Sequence, residues 1–300
     1  PGFRRGRGRV RDTVDLPVAT GREERGKMIP LSVYYVTQDE ERRLPVSLAR
    51  AAEVADEIVV VDSGSTDRTE EIARGFGARF IHNDWVSIGH QVSFAERCCT
   101  NPWVLRLDAD EVLSEGLVKE ILNVKRDPRC DGYRLRIGDV FPGIERPSRW
   151  VKHYRLIRLY NREKMWMSGR FDHDDVVFGD TGLRVDLLEN FVHHHSLLSL
   201  EHLVGKGNAS TGMQVKRALV DGKRYSPWRM VGASTLGFLK LFLLGRFFLY
   251  GFWGFIASVV YGQMRFLKFA KYYEHRQLQA LGEKVQEKKE TSPSSPSTQA

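Results

Sequence analysis

The stretch Glu57-Ile-Val-Val-Val-Asp-Ser-Gly-Ser-Thr-Asp67 decides the fold of this 300-residue chain. Its run of isoleucine and valine predicts a short, fully buried strand over residues 57–61. Asp62 ends that strand, and the serine, glycine, threonine and aspartate residues that follow predict a turn. A buried strand that leads through a turn toward a helix is typical of an α/β protein with a parallel sheet.

The segments on both sides of this stretch repeat the alternation of strand and helix. Short apolar runs predict further strands over 31–37, 78–82 and 103–107. Helical spacing of apolar residues predicts helices over 44–54, 68–75, 89–99 and 115–125. The predicted fold class is therefore α/β, a Rossmann-like, mostly parallel sheet with helices on both faces.

Acidic residues follow two of the predicted strands. Asp62 ends one strand, and Asp108-Ala-Asp110-Glu111 follows another. Ligands of open α/β sheets bind beyond the carboxyl ends of the strands, where these residues lie. Paired carboxylates suit Mg²⁺ or Mn²⁺ shared with substrate phosphates. The alternative is that they are solvated turn residues, because Asp and Ser favour turns.

Three segments, in this order, carry a resemblance to a known family. They are Leu31-Ser-Val-Tyr-Tyr-Val-Thr-Gln-Asp-Glu-Glu41, the stretch Glu57–Asp67, and Leu105-Arg-Leu-Asp-Ala-Asp-Glu111. The chain resembles family 2 glycosyltransferases of the GT-A fold, closest to the branch that includes lipopolysaccharide-core β-glucosyltransferases. The resemblance implies an inverting enzyme that moves a sugar from a nucleotide-diphosphate donor to a glycan or lipid-linked acceptor in cell-envelope polysaccharide or lipopolysaccharide synthesis.

The resemblance also implies roles for individual side chains. Nucleotide-sugar contacts are expected from Thr37, Glu40, Asp62, Gln91 and Asp108. A Mg²⁺ or Mn²⁺ cofactor is expected on Asp108 and Asp110, and His195 matches the branch's histidine near the diphosphate. Three adjacent histidines, 193–195, cannot all face one site, because neighbours on a strand point to opposite faces.

Inverting transfer needs a carboxylate that takes the proton of the acceptor hydroxyl. The segment Gly169-Arg-Phe-Asp-His-Asp-Asp-Val176 resembles the branch's His-Glu motif with Asp in place of Glu. Asp174 is the predicted base, with Asp175 and Asp172 as alternatives. A solvated acidic loop is the competing interpretation.

The formal charge of +8 is unevenly distributed along the chain. Residues 28–200 carry a net charge of −5 and residues 201–282 a net charge of +9. We predict a disordered basic leader over 1–28, a GT-A catalytic domain over 29–200, a basic, apolar helical region over 201–282 and a disordered tail over 283–300. The acidic catalytic part suits a dication with a diphosphate better than it suits nucleic acid.

The C-terminal third combines basic and apolar residues. Phe247–Met264 contains no formally charged residue and lies between Arg246 and Arg265. Its length makes a single transmembrane span a candidate. Its glycines and flanking cations favour an interfacial helix on an anionic membrane surface instead, and a helix packed on the protein is the third alternative. The predicted location is cytoplasmic, peripheral on the inner face of the cell membrane.

Other functions fit the sequence less well. A polyprenyl-phosphate glycosyltransferase has the same fold and the same Asp-x-Asp motif. A nucleic-acid-binding protein would use the Arg/Gly-rich leader, but the acidic body speaks against it. A Rossmann dehydrogenase is excluded because no Gly-x-Gly-x-x-Gly follows the first strand. The three cysteines lack Cys-x-x-Cys spacing, which argues against a zinc site or a disulfide scaffold.

Overall fold

The computed structural model describes residues 28–170, 175–197 and 199–291, with side chains described as far as residue 281. The predicted leader, apart from Met28, lies outside the described residues, as do Asp172, Asp174 and residues 292–300 of the predicted tail. The described chain forms one large sheet with helices on both faces, and a helical extension follows it.

Eight strands form the main sheet and two more form a separate hairpin. The strands are β1 (Leu31–Thr37), β2 (Glu57–Asp62), β3 (Arg79–His82), β4 (Trp103–Arg106), β5 (Glu111–Leu113), β6 (Gly132–Asp139), β7 (Tyr154–Asn161), β8 (Met165–Met167), β9 (Val176–Phe178) and β10 (Val185–His194). The order in the main sheet is β3-β2-β1-β4-β7-β6-β10-β5, and β8 pairs with β9.

The sheet is parallel in its first half and mixed in its second. Strands β3, β2, β1 and β4 are parallel, as the sequence predicts. Strand β7 runs antiparallel to both β4 and β6, and β5 runs antiparallel to β10, while β6 and β10 are parallel. The sheet is thus mixed, because β6 and β7 are joined without a helical crossover that would keep them parallel.

The helices of the first half cover both faces of the parallel strands. They are α1 (Leu44–Ala51), α2 (Thr69–Gly75), α3 (Ile88–Cys98) and α4 (Glu115–Arg126). Val33 and Tyr35 share a core with Leu48 of α1 and Ile121 of α4. Tyr34, between them in sequence, lies in a second core beneath α3. Burial on both faces explains the unbroken apolar runs of these strands.

The C-terminal helices form an extension that is anchored to one end of the sheet. They are α5 (Leu200–Val220), α6 (Arg229–Leu239), a π-helical turn (Lys240–Leu244), a 3₁₀ helix (Phe247–Tyr250) and α7 (Gly251–Thr291). Phe141 and Val151 from the sheet side pack with Phe247 and Tyr250 in a buried aromatic cluster. The Tyr250 hydroxyl also donates a hydrogen bond of 3.1 Å to the carbonyl oxygen of Asp139.

The uncharged stretch Phe247–Met264 is not one continuous helix. Arg246 and Gly251 both adopt positive φ, 59° and 58°, so the chain turns on each side of the 3₁₀ helix before α7 begins. Among the described residues, one helix, found within Phe247–Leu281, is long and apolar enough to cross a membrane, with a mean hydropathy of 1.3. Length and composition are weak evidence by themselves, because a helix that packs on a soluble protein can pass the same test.

Helix α7 also continues beyond the predicted start of the tail at residue 283. Its backbone is helical as far as Thr291, so residues 283–291 differ from the prediction of disorder. The physical reason is the local composition: lysine, glutamate and glutamine in this segment have high intrinsic helix propensity.

Candidate active site

Thr37 and Asp62 lie opposite each other at the carboxyl ends of β1 and β2. The Thr37 hydroxyl donates to Asp62 Oδ1 at 3.0 Å, and the backbone N–H groups of Gly64 and Ser65 donate to Asp62 Oδ2 at 2.8 and 2.6 Å. Gly64 has φ of +102°, a conformation that favours glycine. Asp62 is therefore the residue that shapes this turn, and its contact with a nucleotide remains a prediction.

The loop after β1 and the loop after β2 are held together by reciprocal hydrogen bonds. Asp39 has φ of 54°, its N–H donates to Ser65 Oγ at 2.8 Å, and its Oδ1 accepts from Thr66 N–H at 2.8 Å. Next to it, the Glu40 N–H donates to Thr69 Oγ1 at 2.8 Å. These hydrogen bonds fix the two loops relative to each other at the carboxyl edge of the sheet.

Gln91 lies at the first turns of α3 and is fully buried. Its Nε2 donates to the carbonyl oxygens of Asn83 and Asp84 at 2.7 and 2.9 Å and to Ser63 Oγ at 3.2 Å. Its Oε1 accepts from Asn83 Nδ2 at 2.7 Å. The described amide thus holds the loop after β3, and the predicted nucleotide contact of Gln91 remains a prediction.

The turn after β4 holds Asp108 between two arginines. Arg106 Nη2 lies 3.3 Å from Asp108 Oδ1, and Arg158 Nη2 from β7 lies 3.1 Å from both Asp108 Oδ2 and Glu111 Oε1. Burial raises the pKa of Asp108, but the two guanidiniums outweigh it and hold that pKa well below its usual range. The Asp108 side chain is 38 % exposed, so an ionised carboxylate reaches the surface.

Asp110 is more deeply placed and contacts two further cations. Its Oδ2 lies 3.2 Å from Arg43 Nη1 and 3.5 Å from His194 Nε2. The opposite nitrogen of that ring, His194 Nδ1, lies 2.8 Å from Asp139 Oδ1. Burial lowers the pKa of His194, yet Asp110 and Asp139 raise it to about 10, so the ring carries a proton at neutral pH. Burial likewise raises the pKa of Asp110, but His194 and other cations leave it lowered.

Glu40 also belongs to this cluster through Arg43. Arg43 Nε donates to Glu40 Oε2 at 2.7 Å while Nη1 contacts Asp110. Burial raises the pKa of Glu40 in spite of this pairing. The structure thus brings together Glu40, Asp108 and Asp110 of the predicted site, with Thr37 and Asp62 on neighbouring strands of the same sheet edge.

The histidine whose side chain contacts Asp110 is His194, the neighbour of His195, for which the resemblance implies a role at the metal or the diphosphate. The His195 N–H donates to the Asp110 carbonyl oxygen at 2.8 Å, so its main chain positions the same turn. Burial lowers the pKa of the His195 ring, and the adjacent His194 lowers it further. A direct role of His195 at a metal or diphosphate remains a prediction.

The donor atoms of this turn fit a Mg²⁺ or Mn²⁺ ion. Asp108 and Asp110 offer hard carboxylate oxygens that their neighbours keep ionised. In the described ranges, no group of three histidine, cysteine, aspartate or glutamate side chains converges as a complete metal site. Such an ion would therefore take its remaining ligands from a bound diphosphate and water.

The predicted base lies in a segment that is only partly described. Asp174 and its alternative Asp172 are outside the described residues. Asp175 is exposed, and its carbonyl oxygen accepts from the Ser168 N–H at 2.9 Å. Gly169, at the start of this loop, lies against Ser93 of α3. The choice among the three aspartates therefore remains a prediction.

Sequence reasoning missed the cations of the site and the carboxylate of Asp139. Arg106 and Arg158 interrupt otherwise apolar strand sequences, Leu105-Arg-Leu107 and Leu156-Ile-Arg-Leu159, and a charged residue in a buried strand is a signal of a buried partner. Arg43 and Asp139 carry no such signal, because exposed arginines and aspartates at helix starts and strand ends are common.

Comparison with known proteins identifies the family. The family described as glycosyl transferase family 2 matches residues 32–191, which is more than half of the chain. The chain therefore belongs to glycosyl transferase family 2, and it is a transferase.

Relatives of similar length carry the same kind of name. An uncharacterized glycosyltransferase of Rickettsia typhi is 34% identical over 256 residues, which cover 82% of this chain and 88% of the relative. The lipopolysaccharide core biosynthesis glycosyltransferase LpsC of Rhizobium meliloti is 28% identical over 268 residues, covering 84% of this chain and 95% of LpsC.

Among solved structures, TarS of S. aureus in complex with UDP shows a distant likeness. It has a TM-score of 0.43 and 15% identity, and the match covers 83% of this chain and 92% of that one. Glucosyl-3-phosphoglycerate synthase of Mycobacterium tuberculosis, solved with Mn²⁺ and UDP, has a TM-score of 0.31 and 20% identity over 37% of this chain and 44% of its own.

Proposed function

We propose that this transferase is a metal-dependent, inverting glycosyltransferase that uses a nucleotide-diphosphate sugar and acts on a glycan or lipid-linked acceptor of the cell envelope. The observation that carries the proposal is the turn after β4. It holds Asp108 and Asp110, both kept ionised, beside the preformed loops that follow β1 and β2. The relationship to LpsC supports lipopolysaccharide core synthesis as the setting.

The proposed mechanism assigns separate tasks to the side chains of the site. Asp108 and Asp110 would hold Mg²⁺ or Mn²⁺, and the bound ion would stabilise the negative charge of the departing nucleoside diphosphate. Arg43 and His194 orient the Asp110 carboxylate. Asp174, with Asp175 and Asp172 as rivals, accepts the proton of the acceptor hydroxyl as its oxygen bonds to the anomeric carbon and the bond to the diphosphate breaks.

The cations around the carboxylates lead us to expect that the metal binds together with the nucleotide sugar. Arg43, Arg106, Arg158 and His194 already balance much of the negative charge of the cluster. A free dication therefore meets little net attraction, whereas a dication that arrives with a diphosphate brings its own anionic ligands.

We expect a thermal-shift screen of UDP-, GDP-, ADP- and CMP-sugars to identify the donor. The correct nucleotide sugar with Mn²⁺ should raise the midpoint of unfolding, because a ligand that binds the native state stabilises it. Mn²⁺ alone and the nucleotide sugar with EDTA are the controls, and both should give a smaller shift. Equal shifts with and without Mn²⁺ for every donor would contradict metal dependence.

We further propose that the extension binds an anionic membrane surface. Trp228, Leu244 and Phe252 of the extension are 82, 81 and 86 % exposed. Basic residues accompany them, among them Arg229 and Arg246. Exposed aromatic and aliphatic side chains beside cations are typical of an interfacial segment. A lipid-linked acceptor at the membrane would explain why a transferase carries this surface.

Replacing Trp228, Leu244 and Phe252 together with serine is expected to weaken binding to phosphatidylglycerol-containing vesicles by at least about tenfold, because each exposed apolar side chain gains about 1 kcal/mol or more on burial. Co-sedimentation measures the change. Trp85→Ser with Val86→Ser, which alters exposed apolar residues of the catalytic region, is the matched control. Equal binding by the triple variant and the unaltered protein would exclude the extension as the membrane surface.

A further inference from the structure

A cavity of about 530 Å³ lies between the end of the main sheet and the extension. Asp139, His153 and His194 line it from the sheet side, and Lys206 of α5 and Met264 of α7 line it from the helices. Its walls therefore come from both parts of the protein.

The cavity adjoins the proposed donor site through one side chain. His194 lines the cavity, and its Nε2 lies 3.5 Å from Asp110 Oδ2. Asp139, also in the lining, accepts a hydrogen bond from the other ring nitrogen of His194, Nδ1, at 2.8 Å. A molecule in the cavity would thus lie on the opposite side of His194 from the carboxylates proposed to hold the metal and the donor diphosphate.

The lining is apolar in part and strongly cationic in part. Apolar residues such as Phe141, Leu203 and Val260 contribute to its walls. The formally cationic lining residues are Lys152, Lys206, Lys240, Arg265 and Lys268. Among the described lining residues Asp139 is the single carboxylate, and it is paired with His194.

The cations of the cavity are not held in close ion pairs, although Lys206 acts electrostatically on Asp110 and Glu40. Lys268 and Arg265 lie 5.6 and 5.9 Å from the ring centres of Tyr225 and Phe269. None of the five forms an ion pair with a described carboxylate within 4.0 Å. Burial lowers the pKa of Lys268, and the neighbouring Arg265 and Lys223 lower it further. Like charges that crowd one cavity repel each other, and a bound anion would relieve that repulsion.

We propose that this cavity is the acceptor site and that the acceptor carries a phosphate group. This assignment rests on the proposed function, because the bound molecule is an acceptor only if the protein transfers a sugar to it. Lysine ammonium groups are effective point charges for phosphate, and a multiply charged anion gains most from several of them. The apolar lining accommodates the adjoining carbon skeleton, and His194 separates the acceptor from the donor diphosphate.

The test uses the full chain and small probes, with EDTA present so that phosphate cannot bind through a metal on Asp108 and Asp110. Calorimetric titration compares hexyl phosphate, glycerol 3-phosphate and hexyl β-glucoside. We expect hexyl phosphate to bind more tightly than hexyl β-glucoside. Tighter binding of hexyl phosphate than of glycerol 3-phosphate indicates a lipid phosphate, and equal binding indicates a phosphate on a water-soluble glycan.

The double variant Lys240→Gln/Lys268→Gln, which changes two lysines of the cavity lining, is expected to weaken hexyl phosphate binding about tenfold, which corresponds to about 1.4 kcal/mol. Lys216→Gln changes an exposed lysine of α5 outside the cavity and should bind like the unaltered protein. Unchanged binding by the double variant, or equal binding of hexyl phosphate and hexyl β-glucoside by the unaltered protein, would overturn the proposal.

A parallel measurement separates this inference from the proposed function. The double variant Lys240→Gln/Lys268→Gln should keep the stabilisation by nucleotide sugar and Mn²⁺, because neither lysine contacts Asp108, Asp110 or Glu40. Phosphate binding without any nucleotide-sugar binding would reject the proposed donor while leaving the anion site in place. Donor binding without phosphate binding would reject the anion site alone.

Discussion

Asp110→Asn is expected to lower kcat/KM for sugar transfer by about 10²–10³-fold, the usual cost of losing one group that stabilises developing charge. The substitution keeps the shape of the side chain but removes its negative charge. Without that charge, Asp110 no longer attracts a dication, and Arg43 and His194 lose the anion that they share. Transfer or hydrolysis of the nucleotide sugar identified in the donor screen, measured over a range of Mn²⁺ concentrations, reports the effect.

Asp127→Asn is the matched control for that experiment. Asp127 follows α4, is exposed and pairs with Arg129, away from the carboxyl edge of the sheet. The Asp127→Asn variant should transfer sugar at a rate within about twofold of the unaltered protein, since exposed ion pairs contribute little to stability. Thermal unfolding of both variants distinguishes loss of the site from loss of the fold. Full transfer activity in a folded Asp110→Asn protein would show that the metal assignment is wrong.

Arg158→Met is expected to destabilise the protein by about 3–5 kcal/mol, because removing one partner of a buried ion pair leaves an uncompensated charge. Arg158 is 4 % exposed and contacts both Asp108 and Glu111. Methionine retains most of the volume of the arginine side chain. The loss of stability is therefore caused mainly by the missing charge and less by altered packing. Urea unfolding monitored by tryptophan fluorescence measures the change in the free energy of unfolding.

The double variant Arg158→Met/Glu111→Met tests the origin of that loss. It removes both charges, so it should recover much of the stability lost in the single variant, as buried ion pairs replaced by apolar groups often do. Arg155→Met changes an exposed arginine of the same strand and should shift stability by less than about 0.5 kcal/mol. A loss of similar size in Arg155→Met would contradict a specific role for Arg158.

The parallel half of the fold could be predicted because each of its elements has a local signal. Leu31–Thr37 is buried at every position except the partly buried Val36, since alternate residues pack beneath helices on opposite faces. Ser114 accepts from the Leu117 N–H at 3.3 Å and caps α4 where the sequence places a helix start. Strand direction in this half follows from the helical connections, which favour parallel pairing.

The second half of the sheet has no comparable local signal. Strand β7 lies between β4 and β6 because of long-range pairing, such as Val104 with Tyr160 and Leu135 with Leu156. Its first residues are exposed and its last are buried, so the strand shows neither a continuous apolar run nor a regular alternation. Sequence periodicity therefore gave no basis for predicting the antiparallel insertion.

The difference between His194 and His195 has the same origin. Alternation along a strand shows that adjacent histidines face opposite sides, but it does not show which side faces Asp110. The register of β10 decides this, because His194 pairs with Asp139 on β6 and with Glu111 on β5. That register depends on strands far apart in sequence, so only the assembled sheet shows which histidine ring contacts Asp110.

The proposed donor residues and the helical walls of the cavity come from two stretches of chain that are far apart in sequence. Thr37, Asp62 and Asp108 all precede residue 110, whereas α5 and α7 begin at Leu200 and Gly251. On the proposed assignment, the residues that choose the nucleotide and the helices that complete the acceptor cavity therefore lie in separate segments. A lineage can exchange or rapidly alter its C-terminal segment and acquire a new acceptor while its donor preference persists, provided that the aromatic cluster of Phe141, Phe247 and Tyr250 is kept.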